Sequence, residues 1–130
     1  MRSIDNSRRG RSRSDSRMEQ TGVRMRKIYV SMPMRDLFED ELRSRQETLL
    51  AKAGEYLEEP VTLVENIIKD EKLTALESLG ESIKRMAGAD LVLFASGWET
   101  ERGCKIEMAC ALQYDKKILL EDGNTIQEVK

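Results

Sequence analysis

Short apolar runs alternate with longer amphipathic stretches along most of this chain. Apolar residues that recur at helical spacing indicate three helices, over residues 38–57, 73–87 and 102–114. Runs rich in β-branched, aromatic and leucine residues predict four strands between them, at 27–31, 61–64, 90–95 and 117–120. Asp122, Gly123 and Asn124 form a turn after the last strand, and we expect the final residues to add a helical turn.

The apolar stripes of the helices predict which faces pack against the sheet. The stripe of the first helix comprises Phe38, Leu42, Leu49, Ala53, Tyr56 and Leu57. That of the second comprises Leu73, Leu76, Leu79, Ile83, Met86 and Ala87. One side of the third helix carries Ile106, Ala109, Cys110 and Gln113.

The element order β-α-β-α-β-α-β is typical of a parallel sheet with helices on both faces. Right-handed crossovers favour a strand order of about 2-1-3-4. The sequence therefore predicts a single-domain α/β protein with a flavodoxin-like or Rossmann-like sheet. Strands one and three flank the switch point, so the loops at residues 31–35 and 96–98 should face each other where such sheets bind ligands.

Charge divides the 130-residue chain into two parts. Residues 1–26 hold eight Arg and three acids, whereas the remaining residues hold 14 basic and 21 acidic side chains. Residues 1–24 contain too few apolar side chains to fold, so we predict a disordered Arg/Ser-rich tail before an α/β domain at 25–130. The acidic domain does not favour nucleic-acid binding, which leaves the tail as an RNA-binding or targeting arm or as a leader without function.

Several classes of protein are excluded or disfavoured by what the chain lacks. No secretory signal and no membrane-length apolar run is visible, so we expect a cytoplasmic protein with no membrane partner, in which Cys104 and Cys110 are free thiols. The sequence contains no His, which excludes Ser-His and Cys-His nucleophile pairs and His-based metal sites. Acid–base chemistry would have to come from carboxylates, Tyr, Lys or Cys.

One stretch, Gly97–Glu107, combines the features of a ligand edge. It follows the third strand, passes through a glycine-containing turn and opens the third helix. Glu107 lies about one turn into that helix, where the positive helix end should keep it ionised. From spacing alone, Glu107 is a catalytic carboxylate, a ligand contact or an ordinary surface residue.

The motifs around this stretch resemble those of a known family. They are Lys-Ile-Tyr-Val-Ser-Met-Pro-Met at 27–34, Ala-Asp-Leu-Val-Leu-Phe at 89–94, Gly-Trp-Glu at 97–99 and Arg-Gly-Cys-Lys-Ile-Glu at 102–107. Over about residues 26–121 the chain resembles the DUF4406 family, which is similar to the nucleoside 2-deoxyribosyltransferase superfamily. The resemblance implies a fold that acts on nucleosides or nucleotides, usually as a homodimer or higher homo-oligomer, with no metal or organic cofactor.

The resemblance also implies roles for individual residues. Glu107 would be the nucleophile that attacks the anomeric carbon, Tyr29 would lie beside the sugar, and Glu101 would contact the base. Relatives that hydrolyse nucleoside monophosphates bind phosphate in these loops, which would implicate Ser31, Arg35 and Ser96. The same residues have plainer readings, with Tyr29 as a core side chain and Arg35 as a solvated loop residue.

Other residues of the predicted site would shape the pocket. Trp98 would stack on a base or, alternatively, anchor its loop to the protein body or a dimer interface. Cys104 would be a small residue near the ligand rather than a nucleophile. Met32 and Met34 would form a flexible apolar wall. Gly97 and Gly103 are the glycines of the predicted site, where the backbone can approach a ligand.

The chain departs from the implied pattern at one catalytic position. Hydrolytic members of the superfamily carry a second catalytic Asp eight residues before the Asp that opens strand three, and this chain has Ser82 there, beside Glu81. The leading hypothesis is a hydrolase or deoxyribosyltransferase that cleaves an N-glycosidic bond with Glu107 as nucleophile. The alternative, favoured by Ser82, is a module that binds a nucleotide or sugar phosphate without cleaving it. A weaker third hypothesis is an RNA-associated protein that works through its tail.

Overall fold

The computed structural model describes residues 25–68 and 70–129. The strands are β1 (Arg26–Ser31), β2 (Val61–Leu63), β3 (Leu91–Phe94), β4 (Lys117–Asp122) and β5 (Thr125–Val129). The helices are α1 (Glu39–Leu57), α2 (Ala75–Ala87) and α3 (Arg102–Gln113), with a 3₁₀ turn at Trp98–Thr100. The predicted disordered tail at residues 1–24 lies outside the described residues.

The sheet has the strand order β2-β1-β3-β4-β5. Strands β1 to β4 pair in parallel, which confirms the predicted α/β fold and the 2-1-3-4 order. The carboxyl ends of β1 and β3 are adjacent, since Ser31 pairs with Phe94 in the register of these strands. The switch point of the sheet therefore lies where the sequence predicts it.

The end of the described chain is a strand, so the predicted helical turn there is wrong. β5 pairs antiparallel with β4, from Asp122 opposite Thr125 to Ile118 opposite Val129. Gly123 opens the two-residue turn between them with a φ of 63°, as a glycine-first hairpin turn requires. Pairing with β4 satisfies backbone groups that a single helical turn would leave open, and this favours the strand.

Side-chain alternation along β1 divides the core into two layers. Ile28 packs in the layer that α1 covers, together with Leu49. Tyr29 packs in the opposite layer, together with Met108 of α3. Ser31 follows Tyr29 by two positions, so both hydroxyl groups project from the face of the sheet that α2 and α3 cover.

Part of the predicted helix packing is wrong. Phe38, Tyr56 and Leu76 are exposed to 78%, 43% and 77%, and Phe38 is the N-cap residue that precedes α1 rather than part of its inner face. In α3, Ile106, Ala109 and Gln113 are exposed. The buried residues of α3 follow helical spacing on a different face and are Cys104, Glu107, Met108 and Ala111. Glu107 lies in the middle of this buried face, so a search for apolar residues at helical spacing does not find the face.

Within residues 25–68 and 70–129, no helix is long and apolar enough to span a membrane.

Glu121, at the carboxyl end of β4, links α1 to the loop after β3. Its carboxylate accepts hydrogen bonds from Arg45 at 2.5 Å, from Lys52 at 2.6 Å and from the Ser96 N–H at 2.9 Å. Burial alone would raise the pKa of this carboxyl, but the hydrogen bonds outweigh it and hold the pKa at about 2. Glu121 therefore stays ionised and links β4 to α1 and to the loop after β3.

We expect Glu121→Gln to lower the free energy of unfolding by about 2 kcal/mol at pH 7, because the amide lacks the charge that Arg45 and Lys52 neutralise. The carboxyl titrates near 2 in the folded chain against an ordinary pKa of 4.5. Its stabilisation is therefore complete above pH 4.5 and is lost as the pH falls toward 2. Urea unfolding of both proteins across this range measures the difference.

The matched control is Glu128→Gln, which breaks a partly exposed pair with Lys117 on the same sheet. It should change the free energy of unfolding by less than about 0.5 kcal/mol. Equal effects of the two substitutions on the free energy of unfolding would show that Glu121 stabilises the fold no more than an exposed ion pair does.

Candidate active site

A cavity of about 250 Å³ lies at the carboxyl end of β1, between the first turns of α2 and α3. It is lined by Tyr29, Ser31, Met32, Met34, Arg35, Asn66, Ala75, Ser78, Leu79, Ser82, Glu101, Gly103, Cys104 and Glu107. Two other depressions lie on the exposed side of α1 and are lined by side chains of that helix alone. Unlike these two depressions, the cavity beside β1 combines several elements with buried polar groups.

Glu107 lies at the buried end of this cavity, with 5% of its surface exposed. The Tyr29 hydroxyl donates to Glu107 Oε2 at 2.7 Å, and the Ser31 hydroxyl donates to Oε1 at 2.6 Å. Each carboxylate oxygen thus holds one hydroxyl partner from β1, and the carboxyl plane is fixed relative to the sheet. Such hydrogen bonds to an ionised acceptor are short and strong.

The surroundings of Glu107 determine its protonation. Burial raises the pKa of Glu107, and the hydrogen bonds from Ser31 and Tyr29 oppose this effect without cancelling it. Burial therefore works against the expected effect of the helix end on Glu107, which is the sixth residue of α3, whereas the helix dipole acts mainly within the first turn. Burial and the neighbouring Glu107 charge also raise the pKa of Tyr29, which keeps its proton.

Apolar and small residues form the walls around the carboxylate. Met32, which is 4% exposed, and the partly buried Met34 both line the cavity. Gly103 and Cys104 line the cavity from the first turn of α3. Burial raises the pKa of the Cys104 thiol, so it is a small neutral side chain rather than a thiolate.

An ion pair between Arg35 and Glu101 lies at the mouth of the cavity. Arg35 Nη2 is 3.1 Å from Glu101 Oε1, and the Arg35 side chain is 70% exposed. Both were predicted as ligand contacts, with phosphate for Arg35 and base for Glu101. The pair brings them together at the entrance, where a ligand that enters would meet both charges.

Three of the predicted site residues do not line the cavity. Ser96 is engaged with Glu121 through its backbone N–H and through its hydroxyl, which donates to the Glu121 carbonyl at 3.1 Å. Trp98 packs edge-on against Phe94 with ring centroids 5.6 Å apart, so it anchors its loop to the protein body. Gly97 has a φ of 90° and opens the 3₁₀ turn beside Pro33.

The cavity also contains residues that the sequence reading missed as contacts. Asn66 comes from the segment after β2, and Ser78 and Leu79 come from the first two turns of α2. A capping box marks the start of α2. The Thr74 hydroxyl accepts a hydrogen bond from the Glu77 N–H, and the Glu77 carboxylate accepts one from the Thr74 N–H. That signal predicts where this helix begins. No comparable signal marks Asn66.

Ser82 lines the cavity, and Glu81 is not among the lining residues. The position at which the resemblance implies an Asp therefore lines the same cavity as Glu107 but carries a hydroxyl. Glu101 is the second carboxyl group of the lining. Among residues 25–68 and 70–129, no three His, Cys, Asp or Glu side chains lie close enough together to hold a metal ion.

The fold and this cavity can be compared with known proteins. A family model described as "Domain of unknown function (DUF4406)" matches residues 26–120. The chain belongs to the DUF4406 family. The match spans β1 to β3, the first four residues of β4, the three helices and every residue that lines the cavity, whereas β5 lies beyond it. No curated protein matches the chain.

We expect Glu107→Gln to fold normally, because Tyr29 can donate to the amide oxygen and the Ser31 hydroxyl can accept from the amide N–H. In the unmodified DUF4406 chain the pKa of Glu107 lies above its ordinary value of 4.5. The folded chain therefore loses stability as the pH rises from 4.5 through the folded pKa, and the amide variant escapes this loss.

Urea unfolding of the two proteins between pH 4 and pH 8 measures this effect. The free energy of unfolding of the variant, relative to the unmodified chain, should increase with pH over that range. A difference that does not vary with pH would mean that Glu107 has an ordinary pKa.

Proposed function

We propose that this DUF4406 chain binds a nucleoside or nucleotide in the cavity and cleaves its N-glycosidic bond, with Glu107 as the nucleophile. The observation that carries the proposal is the carboxylate at the buried end of the cavity, with both oxygens held by hydroxyl groups. A carboxylate fixed in this way is pre-oriented toward a ligand, so little entropy is lost when the reacting atoms meet. The substrate class is the one implied by the resemblance of the motifs at 27–34 and 97–107 to nucleoside 2-deoxyribosyltransferases.

The proposed reaction is a double displacement at the anomeric carbon of the sugar. A Glu107 oxygen donates an electron pair to that carbon, the bond to the base nitrogen breaks, and its electron pair leaves with the base. Water or a second base then attacks the same carbon, the ester to Glu107 breaks, and the carboxylate is restored. Attack by water would make the protein a hydrolase, and attack by a base would make it a transferase.

The surroundings of Glu107 suit this role. Burial removes water that would solvate the anion, so a cationic sugar in the transition state would be its best partner. The Tyr29 and Ser31 hydroxyls hold the carboxylate oriented while its charge is used. Glu101, at the mouth with Arg35, would accept a hydrogen bond from the base, and the proton taken up by the departing base would come from water.

A second candidate function is binding without cleavage, and Ser82 is the observation that favours it. A hydroxyl at this position cannot take the place of a carboxylic acid that assists the leaving base. Such a module would make the same contacts with its ligand and would release the ligand unchanged. The homodimeric assembly, the cytoplasmic location and any role of the tail in RNA binding stay predictions.

Incubation with deoxynucleosides and their 5′-monophosphates, followed by chromatography of the free bases, tests the first function. We expect base release that Glu107→Gln and Glu107→Ala each reduce by at least about 1,000-fold, because neither side chain offers a carboxylate nucleophile. Glu55→Gln, which changes an exposed acid of α1, is the matched control and should retain full activity.

Calorimetry on the same panel separates the two functions. Binding followed by recovery of intact ligand would support the binding module and contradict cleavage. Base release that persists at full rate in the folded Glu107→Ala variant would remove Glu107 from the reaction.

A further inference from the structure

Glu121, on β4, contacts the loop after β3 at two points. Its carboxylate accepts a hydrogen bond from the Ser96 N–H at 2.9 Å, and its backbone carbonyl accepts one from the Ser96 hydroxyl at 3.1 Å. The preceding residue is fixed as well, because the Ala95 N–H donates to the Ser31 carbonyl of β1 at 2.9 Å. The loop therefore leaves the sheet from a start that both β1 and β4 hold.

Hydrogen bonds within the loop continue from this start as far as Glu101. The Trp98 N–H donates to the Ala95 carbonyl at 3.1 Å, and the Glu101 N–H donates to the Trp98 carbonyl at 3.2 Å. Between them, the N–H and the hydroxyl of Thr100 both donate to the Gly97 carbonyl, at 3.1 Å and 2.7 Å. The position of the last residue of the loop therefore depends on the position of the first.

Few apolar contacts hold this loop against the protein body. The exposed residues of the loop are Ser96, Gly97, Glu99 and Thr100. Trp98 packs inward, against Phe94. A surface segment that buries so little apolar area moves easily unless other contacts restrain it. The two bonds between Ser96 and Glu121 are restraints of this kind.

Glu121 is in turn held by α1. Arg45 and Lys52 donate to its buried carboxylate at 2.5 Å and 2.6 Å. Replacement of a whole buried ion-pair network by apolar side chains of similar volume is often neutral or stabilising, so stability alone is a weak reason for a carboxylate here. An apolar side chain could not accept the hydrogen bond from the Ser96 N–H, and Glu121 does.

The loop ends at the mouth of the cavity. Glu101 lines the cavity and is the N-cap residue of α3. Its carboxylate lies 3.1 Å from Arg35 Nη2, on the loop between β1 and α1. The two loops also meet at Gly97, where an added Cβ atom would lie 3.6 Å from Pro33 Cγ. A shift of the loop after β3 would therefore move Glu101 relative to Arg35 and to the cavity.

We propose that Glu121 is a positioning residue, which fixes the loop through Ser96 and so holds the Glu101 carboxylate at the mouth of the cavity. Glu121 does not line the cavity, so it acts through the loop rather than on a ligand. The effect on ligand binding rests on the proposed function, in which Glu101 accepts a hydrogen bond from the base.

Two variants and a control test the proposal. Glu121→Gln weakens the hold of α1 on the loop, and Ser96→Ala removes one of the two contacts at an exposed position, where the fold should tolerate it. The control is Glu128→Gln, on β5. Trp98 is the single Trp of the chain, so acrylamide quenching of its fluorescence reports on this loop. Circular dichroism selects a temperature at which all the proteins are folded.

The backbone amide signal of Glu101 in ¹⁵N-labelled protein should shift or broaden in both loop variants and should match the unmodified chain in the control. We also expect the quenching constant of Trp98 to rise by about twofold in Glu121→Gln, because a loop that loses a restraint opens more often. A role in stability alone would lower the Tm and leave the folded protein unchanged in both measurements.

The proposal is overturned if the Glu101 signal of the folded variants matches that of the control, even where the quenching of Trp98 changes. The restraint from Glu121 would then not reach the mouth of the cavity. Should Glu121→Gln fail to fold, the Glu101 signal of Ser96→Ala decides by itself.

Turnover gives a separate readout. If deoxynucleosides or their 5′-monophosphates are cleaved, Glu121→Gln should raise KM by about 5- to 20-fold and change kcat by less than about twofold, as expected when contact with the base is weakened and Glu107 keeps its partners on β1. If no member of this panel is cleaved, the proposed function fails, and the Glu101 signal still decides the positioning role. An unchanged KM in an active protein would contradict a part for Glu121 in ligand binding.

Discussion

The site depends on a carboxylate that the fold buries on the sheet-facing side of α3. Removal of an ionised carboxyl from water is costly unless hydrogen bonds replace the lost solvation. In this chain the replacement comes from two hydroxyls on one strand, Tyr29 and Ser31, which lie two positions apart and so face the same helix. The parallel pairing of β1 with β3 brings the α3 that follows β3 over these hydroxyls. Burial, orientation and chemistry of Glu107 are therefore consequences of one arrangement.

A second buried carboxylate at the same edge of the sheet shows what the surroundings decide. Glu121 is held by Arg45 and Lys52, and its pKa falls to about 2. Glu107 is held by neutral hydroxyls, and its pKa rises. Cations make the first carboxylate a permanent part of an ion-pair network, whereas the proposed function would use the charge of the second. Environments that push the pKa values of two carboxyl groups apart in this way commonly give the two groups different roles, one structural and one reactive.

Much of the fold could be predicted from the pattern of apolar residues. Short apolar runs mark the parallel strands, and apolar residues at helical spacing mark the helices between them. The hairpin at β5 was missed, since its apolar signal is weak and its stability comes from pairing with β4. The buried face of α3 was misread because Glu107 counts as polar in any hydrophobic pattern. Glu107, Tyr29 and Ser31 could be chosen from the motifs and their place at the sheet edge. Asn66 could not, because it lies in a segment without secondary structure, where no periodic pattern marks it.

The proposed function requires Glu107 to meet the anomeric carbon of a bound sugar. The decisive measurement is a crystal structure with an intact nucleoside or its 5′-monophosphate, obtained with Glu107→Gln to prevent turnover. We expect the side-chain oxygen of residue 107 to lie within about 3.5 Å of the anomeric carbon, in line with the bond to the base. A ligand bound elsewhere, or one whose anomeric carbon faces away from this residue, would rule out Glu107 as the nucleophile.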